Sequence, residues 1–143
     1  MNKWDQRFLD LARHVATWSK DPGTKVGAVI VRPDKTVASV GYNGFPRGVE
    51  DDQVALDDRE NKLSRTVHAE MNAILNCADR PAGYTLYVWP MAPCDRCSPH
   101  IIQAGISRVV SPANPPERWR TSIHKGRDIM TNAGLQVEEV GNG

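Results

Sequence analysis

A chain of 143 residues, 40% apolar and 24% charged, has the composition of an ordinary globular protein and the size to bury one core. Eighteen basic residues against seventeen acidic ones leave a net charge of +1, which excludes the broad positive footprint of a nucleic-acid binder or a membrane-surface protein. Three cysteines provide no disulfide framework, the opening Met1-Asn2-Lys3-Trp4-Asp5 has no apolar signal core, and no apolar run approaches the roughly 20 residues that cross a bilayer, so a soluble protein of a reducing cytoplasm is expected.

Trp4, Phe8, Leu11, Ala12, Val15 and Ala16 recur at helical spacing before Asp21-Pro22-Gly23, which predicts an amphipathic opening helix with a core-facing stripe. His14 within that helix receives no function. Short β-branched runs over 26–31 and 37–40 flank Pro33-Asp34-Lys35 and predict two antiparallel strands. Over 44–64 no period persists, so a long loop with one short helix over 54–61 is expected, and such loops are often functional. A second main helix begins near His68 and runs through Met71, Ile74, Leu75 and Ala78 to Pro81-Ala82-Gly83. A strand over 84–89 follows, and then a helix carrying Cys94, Cys97, Ile101 and Ile102 to a stop at Gly105. A strand over 107–111, a loop marked by Pro112, Pro115 and Pro116, a helix over 121–132 and a strand over 135–140 complete the order. The alternation implies one α/β domain over 1–143, with a mixed five-stranded sheet and helices on both faces. In such sheets ligand sites form at the carboxyl ends of strands, where the segments around His68 and Cys94 can converge.

Those two segments, His68-Ala69-Glu70 and Pro93-Cys94-Asp95-Arg96-Cys97, carry the chemistry. Two cysteines three apart become neighbours on one helical turn, and thiolates near a helix start are favoured by its positive end. With His68 they supply three ligands, one short of a closed tetrahedron, which is the mark of a catalytic zinc that keeps a position for water. Glu70 is two residues from His68 and points to another side of a regular helix, so it reads as a base beside the metal. Two thiolates already cancel the charge on zinc, so its water would need such a base. A closed structural zinc needs a fourth donor. Cys77, on a continuing helix, would stand roughly 13 Å from His68, and His100 rotates away from the face shared by Cys94 and Cys97. A redox Cys-x-x-Cys gives no role to His68 or Glu70.

A histidine-x-glutamate followed by Pro-Cys-x-x-Cys also resembles the signature of the zinc nucleobase deaminases. Ser19-Lys20-Asp21-Pro22, Lys25-Val26-Gly27-Ala28-Val29-Ile30-Val31, Gly41-Tyr42-Asn43-Gly44-Phe45-Pro46-Arg47-Gly48 and His68-Ala69-Glu70-Met71-Asn72-Ala73-Ile74-Leu75 narrow it. Together they closely resemble the deoxycytidylate deaminases, over about residues 4–111. The resemblance implies the three-layer α/β/α cytidine deaminase-like fold and one catalytic Zn2+ per chain. It also implies hydrolysis of dCMP to dUMP and ammonia, supplying dUMP for thymidylate synthesis. Water activated at the metal would add to C4, and Glu70 would protonate the ring nitrogen and then the leaving amine. By the same resemblance Asn43 holds the deoxyribose, Ala69 belongs to the substrate set, and Ser19 and Lys20 lie near the 5′-phosphate. Gly41, Tyr42, Gly44, Arg47 and Arg65 stand as phosphate or effector contacts. The family further resembles hexameric homo-oligomers activated by dCTP with Mg2+ and inhibited by dTTP. Two departures bear on substrate choice: Val88-Trp89-Pro90-Met91-Ala92-Pro93 replaces a stretch that usually contains threonine, and Ser98 stands where alanine is common. The competing functions are a deaminase of another cytosine nucleoside, nucleotide or nucleobase, and a catalytically inactive, zinc-stabilised nucleotide-binding regulator. An editor of transfer RNA or single-stranded DNA would need a basic, aromatic-bearing track, and here charges of both signs are interspersed.

Overall fold

A computed structural model describes residues 2–141. Asn2 caps the first helix, α1 (Lys3–Ala16), by accepting the Asp5 N–H at 2.9 Å. The buried face of α1 is Asp5, Phe8, Leu9, Ala12, Val15 and Ala16, while Trp4 is 36% exposed. The stripe is therefore rotated from the one the apolar spacing suggests, because a carboxylate occupies its first position.

Five strands form one sheet in the order β2-β1-β3-β4-β5: β1 (Gly27–Val31), β2 (Val37–Tyr42), β3 (Thr85–Trp89), β4 (Arg108–Pro112) and β5 (Gln136–Val140). β1 pairs antiparallel with both β2 and β3, and β3, β4 and β5 run parallel, giving the mixed sheet expected. Side-chain alternation divides the core into two halves. Val29, Val31, Tyr87 and Val110 pack on α1, whereas Ala28, Ile30, Leu86, Val88 and Val109 pack on the other face. That second face is covered through Ala69 and Ala73 of α4 (Ala69–Asn76), Ile101 of α5 (Ser98–Ala104) and Met130 of α6 (Arg120–Asn132). Among the described residues, no helix is long and apolar enough to cross a membrane.

Three local expectations change. The segment expected to hold one short helix holds two, α2 (Gln53–Asp57) and α3 (Arg59–Arg65), because Asp58 turns extended and its carboxylate accepts the Asn61 N–H at 3.2 Å to start the second. α4 ends at Asn76, before Ala78, since Cys77 is extended at ψ 125. Cys94 lies ahead of its helix, in a turn closed by the Ser98 N–H on the Cys94 carbonyl at 3.1 Å, and α5 begins only after Cys97. Gly105, at φ 95, ends α5 as expected.

β2 lies so close to α4 that a Cβ on Gly41 would stand 2.4 Å from the Ala73 nitrogen and 2.5 Å from the Ala69 carbonyl oxygen. Gly41→Ala must push α4 outward, so it should lower stability by about 1–3 kcal/mol and displace the first turn of that helix. A thermal melt indistinguishable from the parent would contradict this packing.

Candidate active site

Two helix starts and one turn bring the metal-type ligands together. His68 is the residue that flanks α4, with extended ψ 153 and no capping hydrogen bond from its side chain, so its imidazole is not committed to the helix end. Cys94 follows the carboxyl end of β3, and Cys97 flanks α5. The His68 Nδ1 lies 3.1 Å from the Cys97 Sγ and 3.5 Å from the Cys94 Sγ, and the ligating atoms of all three residues lie within 4.8 Å of one another. Tetrahedral zinc, with bonds of about 2.3 Å to sulfur and 2.0 Å to nitrogen, separates its donors by roughly 3.5–3.8 Å. The spacing and the soft donors thus fit a zinc ion.

The electrostatics agree with a site built for a cation. The Cys94 thiol is brought down to about 4 by its hydrogen bond with Cys97, assisted by His68. Cys97 is pushed up by that same hydrogen bond and by burial, so the two sulfurs share a proton and carry negative charge beside the imidazole. His68 is raised, first by its hydrogen bond to Cys94. Glu70, in the first turn of α4, is only 5% exposed, and burial raises its carboxyl from 4.5 to about 7. A carboxylic acid poised near neutrality, facing the same space as two of the metal donors, His68 and Cys94, can both accept and return a proton.

That space is a cavity of about 690 Å³, within the usual size of small-molecule sites, whose wall includes His68, Ala69, Glu70, Cys94 and Asn43. The Asn43 amide is largely engaged within the protein: Oδ1 accepts the Val26 N–H at 2.9 Å and Nδ2 donates to the Thr24 carbonyl at 2.8 Å. It thereby fixes the shape of the loop ahead of β1 while facing the cavity. Ser19 is buried and donates to the Asn43 carbonyl at 2.8 Å; Lys20 pairs with Asp51 at 3.2 Å. Neither belongs to the cavity wall, and neither do Arg47, Arg65, Gly41, Tyr42 or Gly44. Tyr42 lies edge-on to Trp18, and Gly44 bridges Val67.

Other residues reach the wall without having been singled out by sequence. Lys62 of α3 pairs with Asp21 at 3.0 Å, and Arg118, in the 3-10 turn Glu117–Trp119, donates to the Thr24 hydroxyl at 2.6 Å. Trp119 lines the cavity beside them. The only sequence signal for Lys62 is its place in a long loop, and Arg118 and Trp119 sit in a stretch without a motif.

Known proteins match this arrangement. Residues 2–112 fit the family described as the cytidine and deoxycytidylate deaminase zinc-binding region. A protein of Aliivibrio fischeri described as an uncharacterized deaminase in the luxG 3′ region is 42% identical over 140 residues, covering 96% of this chain and 93% of its own. A probable deoxycytidylate deaminase of Caenorhabditis elegans is 39% identical over 143 residues, covering 96% of this chain and 70% of its own. The crystal structure of dCMP deaminase from the cyanophage S-TIM5 in complex with dCMP and dUMP superposes with a TM-score of 0.77 at 25% identity, over 98% of this chain and 99% of that one. With its fold, its His/Cys/Cys cluster and a matched span that takes in both motifs, this chain belongs to the cytidine and deoxycytidylate deaminase zinc-binding family.

Proposed function

We propose that this protein hydrolyses dCMP to dUMP and ammonia, as one deaminase domain over residues 1–143. The observation that carries the reading is a soft three-donor metal cluster, two of whose donors, His68 and Cys94, wall a nucleotide-sized cavity together with the buried Glu70 carboxyl. The nematode relative's description and the cyanophage enzyme's complex with dCMP and dUMP support the choice of nucleotide.

Zinc held by His68, Cys94 and Cys97 would supply an acidified water as nucleophile and polarise the reacting centre. Glu70 does the proton work. It takes a proton from the attacking water and gives it to ring N3 as C4 becomes tetrahedral. It then carries the second water proton to the amine as the C4–N bond breaks, so both protons of the water end in the products. A carboxyl near 7 is suited to both directions of transfer. Ala69, with only a methyl side chain in the wall, leaves room beside the metal for a flat pyrimidine.

Ammonia release should be measured across dCMP, dCTP, deoxycytidine and CMP, with dCMP expected to react fastest. No release from any of the four would sink the reading. One zinc per chain is expected by elemental analysis, falling with activity in His68→Ala and Cys97→Ala. Full metal content in both variants would remove the ligand assignment. The same reading includes a cytoplasmic homo-oligomer, a hexamer by resemblance, responsive to dCTP with Mg2+ and to dTTP. The exposed Trp18, Tyr42 and Leu75 support a contact surface, and gel filtration with effector titration tests it.

A further inference from the structure

α6 lies outside both segments that carry the metal ligands, yet its backbone presses on one of them. Gly126 stands in the interior of this 13-residue helix, where a glycine weakens the helix relative to alanine. A close approach of two backbones accounts for it. A Cβ at this position would stand 2.6 Å from the Ser98 Oγ, 2.7 Å from the Pro93 carbonyl oxygen and 2.9 Å from the Cys94 carbonyl carbon. All three atoms belong to the turn that carries Cys94. The helix is itself held on either side of the contact, since Ile123 and Met130 are 1% and 0% exposed, and Ser122 and Ile123 reach the cavity wall.

The same Cys94 peptide is gripped within its own turn. The Ser98 hydroxyl donates to the Cys94 carbonyl at 2.7 Å and the Ser98 N–H donates to it at 3.1 Å. Ser98 is fully buried, so no bulk water competes for that carbonyl. Close packing on one peptide from a helix and a hydroxyl leaves the Cys94 backbone no room to shift. The 3.5 Å between the Cys94 Sγ and the His68 Nδ1 already matches the separation that tetrahedral zinc sets between its donors, so a displaced turn would spoil a fit that exists. With alanine at 126, ordinary contact returns only when the turn or the helix retreats by roughly half an ångström.

We propose that Gly126 and Ser98 are positioning residues for the metal: the bare backbone of α6 and the Ser98 hydroxyl together fix the Cys94 peptide, and so set the geometry and tightness with which His68, Cys94 and Cys97 hold their ion. This rests on the ligand assignment made above and is independent of which nucleotide is deaminated. The test loads the parent and three variants with Co2+, whose thiolate charge-transfer and visible bands report donor geometry, and measures zinc affinity by competition with a chromophoric chelator. Gly126→Ala should shift the Co2+ bands and weaken zinc roughly 10- to 100-fold, the range for a residue that orients a ligand. Ser98→Ala, which removes only the hydroxyl, should move both readouts the same way by a smaller factor. Val31→Ala is the control, a core truncation at the end of β1 that pairs with Thr85, far from the carboxyl end of β3 that leads to Cys94. It should lower the melting temperature and leave Co2+ bands and zinc affinity like the parent's. Gly126→Ala that melts lower but keeps the parent's bands and affinity would reveal a packing role alone and overturn the inference. Should Gly126→Ala fail to fold, parent-like bands and affinity in Ser98→Ala would overturn it. An equal metal defect in Val31→Ala would do so too, because any loss of stability would then suffice. A parent that takes up neither ion would remove the ligand assignment and this inference with it, whereas a parent that binds zinc but releases no ammonia would remove the deaminase reading alone.

Discussion

Glu70→Gln is expected to abolish dCMP turnover while leaving fold, zinc content and nucleotide binding in place. The amide keeps the size and shape of the carboxyl but cannot accept a proton from water or deliver one to N3 and the amine. General acid–base catalysis typically contributes about 10² to 10⁴ in rate, and a group that serves two successive transfers belongs at or above the upper end. Binding should survive, because the contacts to sugar and phosphate come from other elements. Stability supplies an independent check in chelator-stripped protein. Burial raises this carboxyl from 4.5 to about 7, so the folded chain keeps a proton that the unfolded chain releases, and stability falls as pH rises through that interval. Glutamine removes that pH-dependent loss, so the variant should melt higher than the parent at pH 8, by a margin that shrinks toward pH 4.5. Turnover of dCMP within a few-fold of the parent would defeat the proton-shuttle mechanism.

What the sequence reveals depends on how local each feature is. The convergence of His68 with Cys94 and Cys97 is legible because both segments follow or open regular elements, and a mixed α/β sheet gathers such segments at the carboxyl ends of its strands. The turn that holds Cys94 ahead of α5 is less legible. A Cys-x-x-Cys spacing fits a helical turn and a single turn ahead of a helix equally well, because the Ser98 contacts to the Cys94 carbonyl at 2.7 and 3.1 Å close a turn of helical spacing before α5 begins. Asp58 likewise ends one short helix and caps another in a segment with no apolar period to read. Lys62 and Arg118 are invisible as a pair because they belong to segments on opposite sides of the metal motifs in the chain and meet only through Thr24, Asp21 and Gly23. Ser19 and Lys20 illustrate the converse. Their motif is conspicuous in the sequence, yet the fold spends the Ser19 hydroxyl on the Asn43 carbonyl and the Lys20 ammonium on Asp51. Asp5 is the residue that apolar periodicity is least able to find, since it stands on the buried stripe of α1 where the pattern looks for a hydrophobic side chain.

Asp5→Ala is expected to be the most damaging substitution outside the cavity. The Asp5 carboxylate is 2% exposed and accepts the Tyr87 hydroxyl at 2.7 Å and both terminal nitrogens of Arg108, at 2.9 and 2.7 Å. Arg108 also donates to the two oxygens of Glu138 at 3.0 and 2.7 Å. One guanidinium thus fastens the start of α1 to β4 and β5, and the carboxylate it holds fastens α1 to β3. Removing Asp5 leaves the Tyr87 hydroxyl without its acceptor and half of the Arg108 fork unpaired, and breaking a buried pair from one side costs about 3–5 kcal/mol. In a chain of this size that corresponds to a fall of roughly 10 °C or more in melting temperature. Asp5→Asn, which keeps the shape and one acceptor oxygen, should fall between the two. The acid response gives a second signature. The hydrogen bond from Arg108 holds the Asp5 carboxyl below its ordinary 3.8, and the same guanidinium lowers Glu138. A lowered folded-state value stabilises fully above the ordinary carboxylate range, and the contribution is lost as pH falls through the lowered value. The parent should therefore lose stability below about pH 4, and Asp5→Ala should lose less over that interval because its share is already gone. A variant that melts with the parent at neutral pH, or that keeps the parent's acid slope, would show that this buried carboxylate is not what fastens the two ends of the sheet to α1.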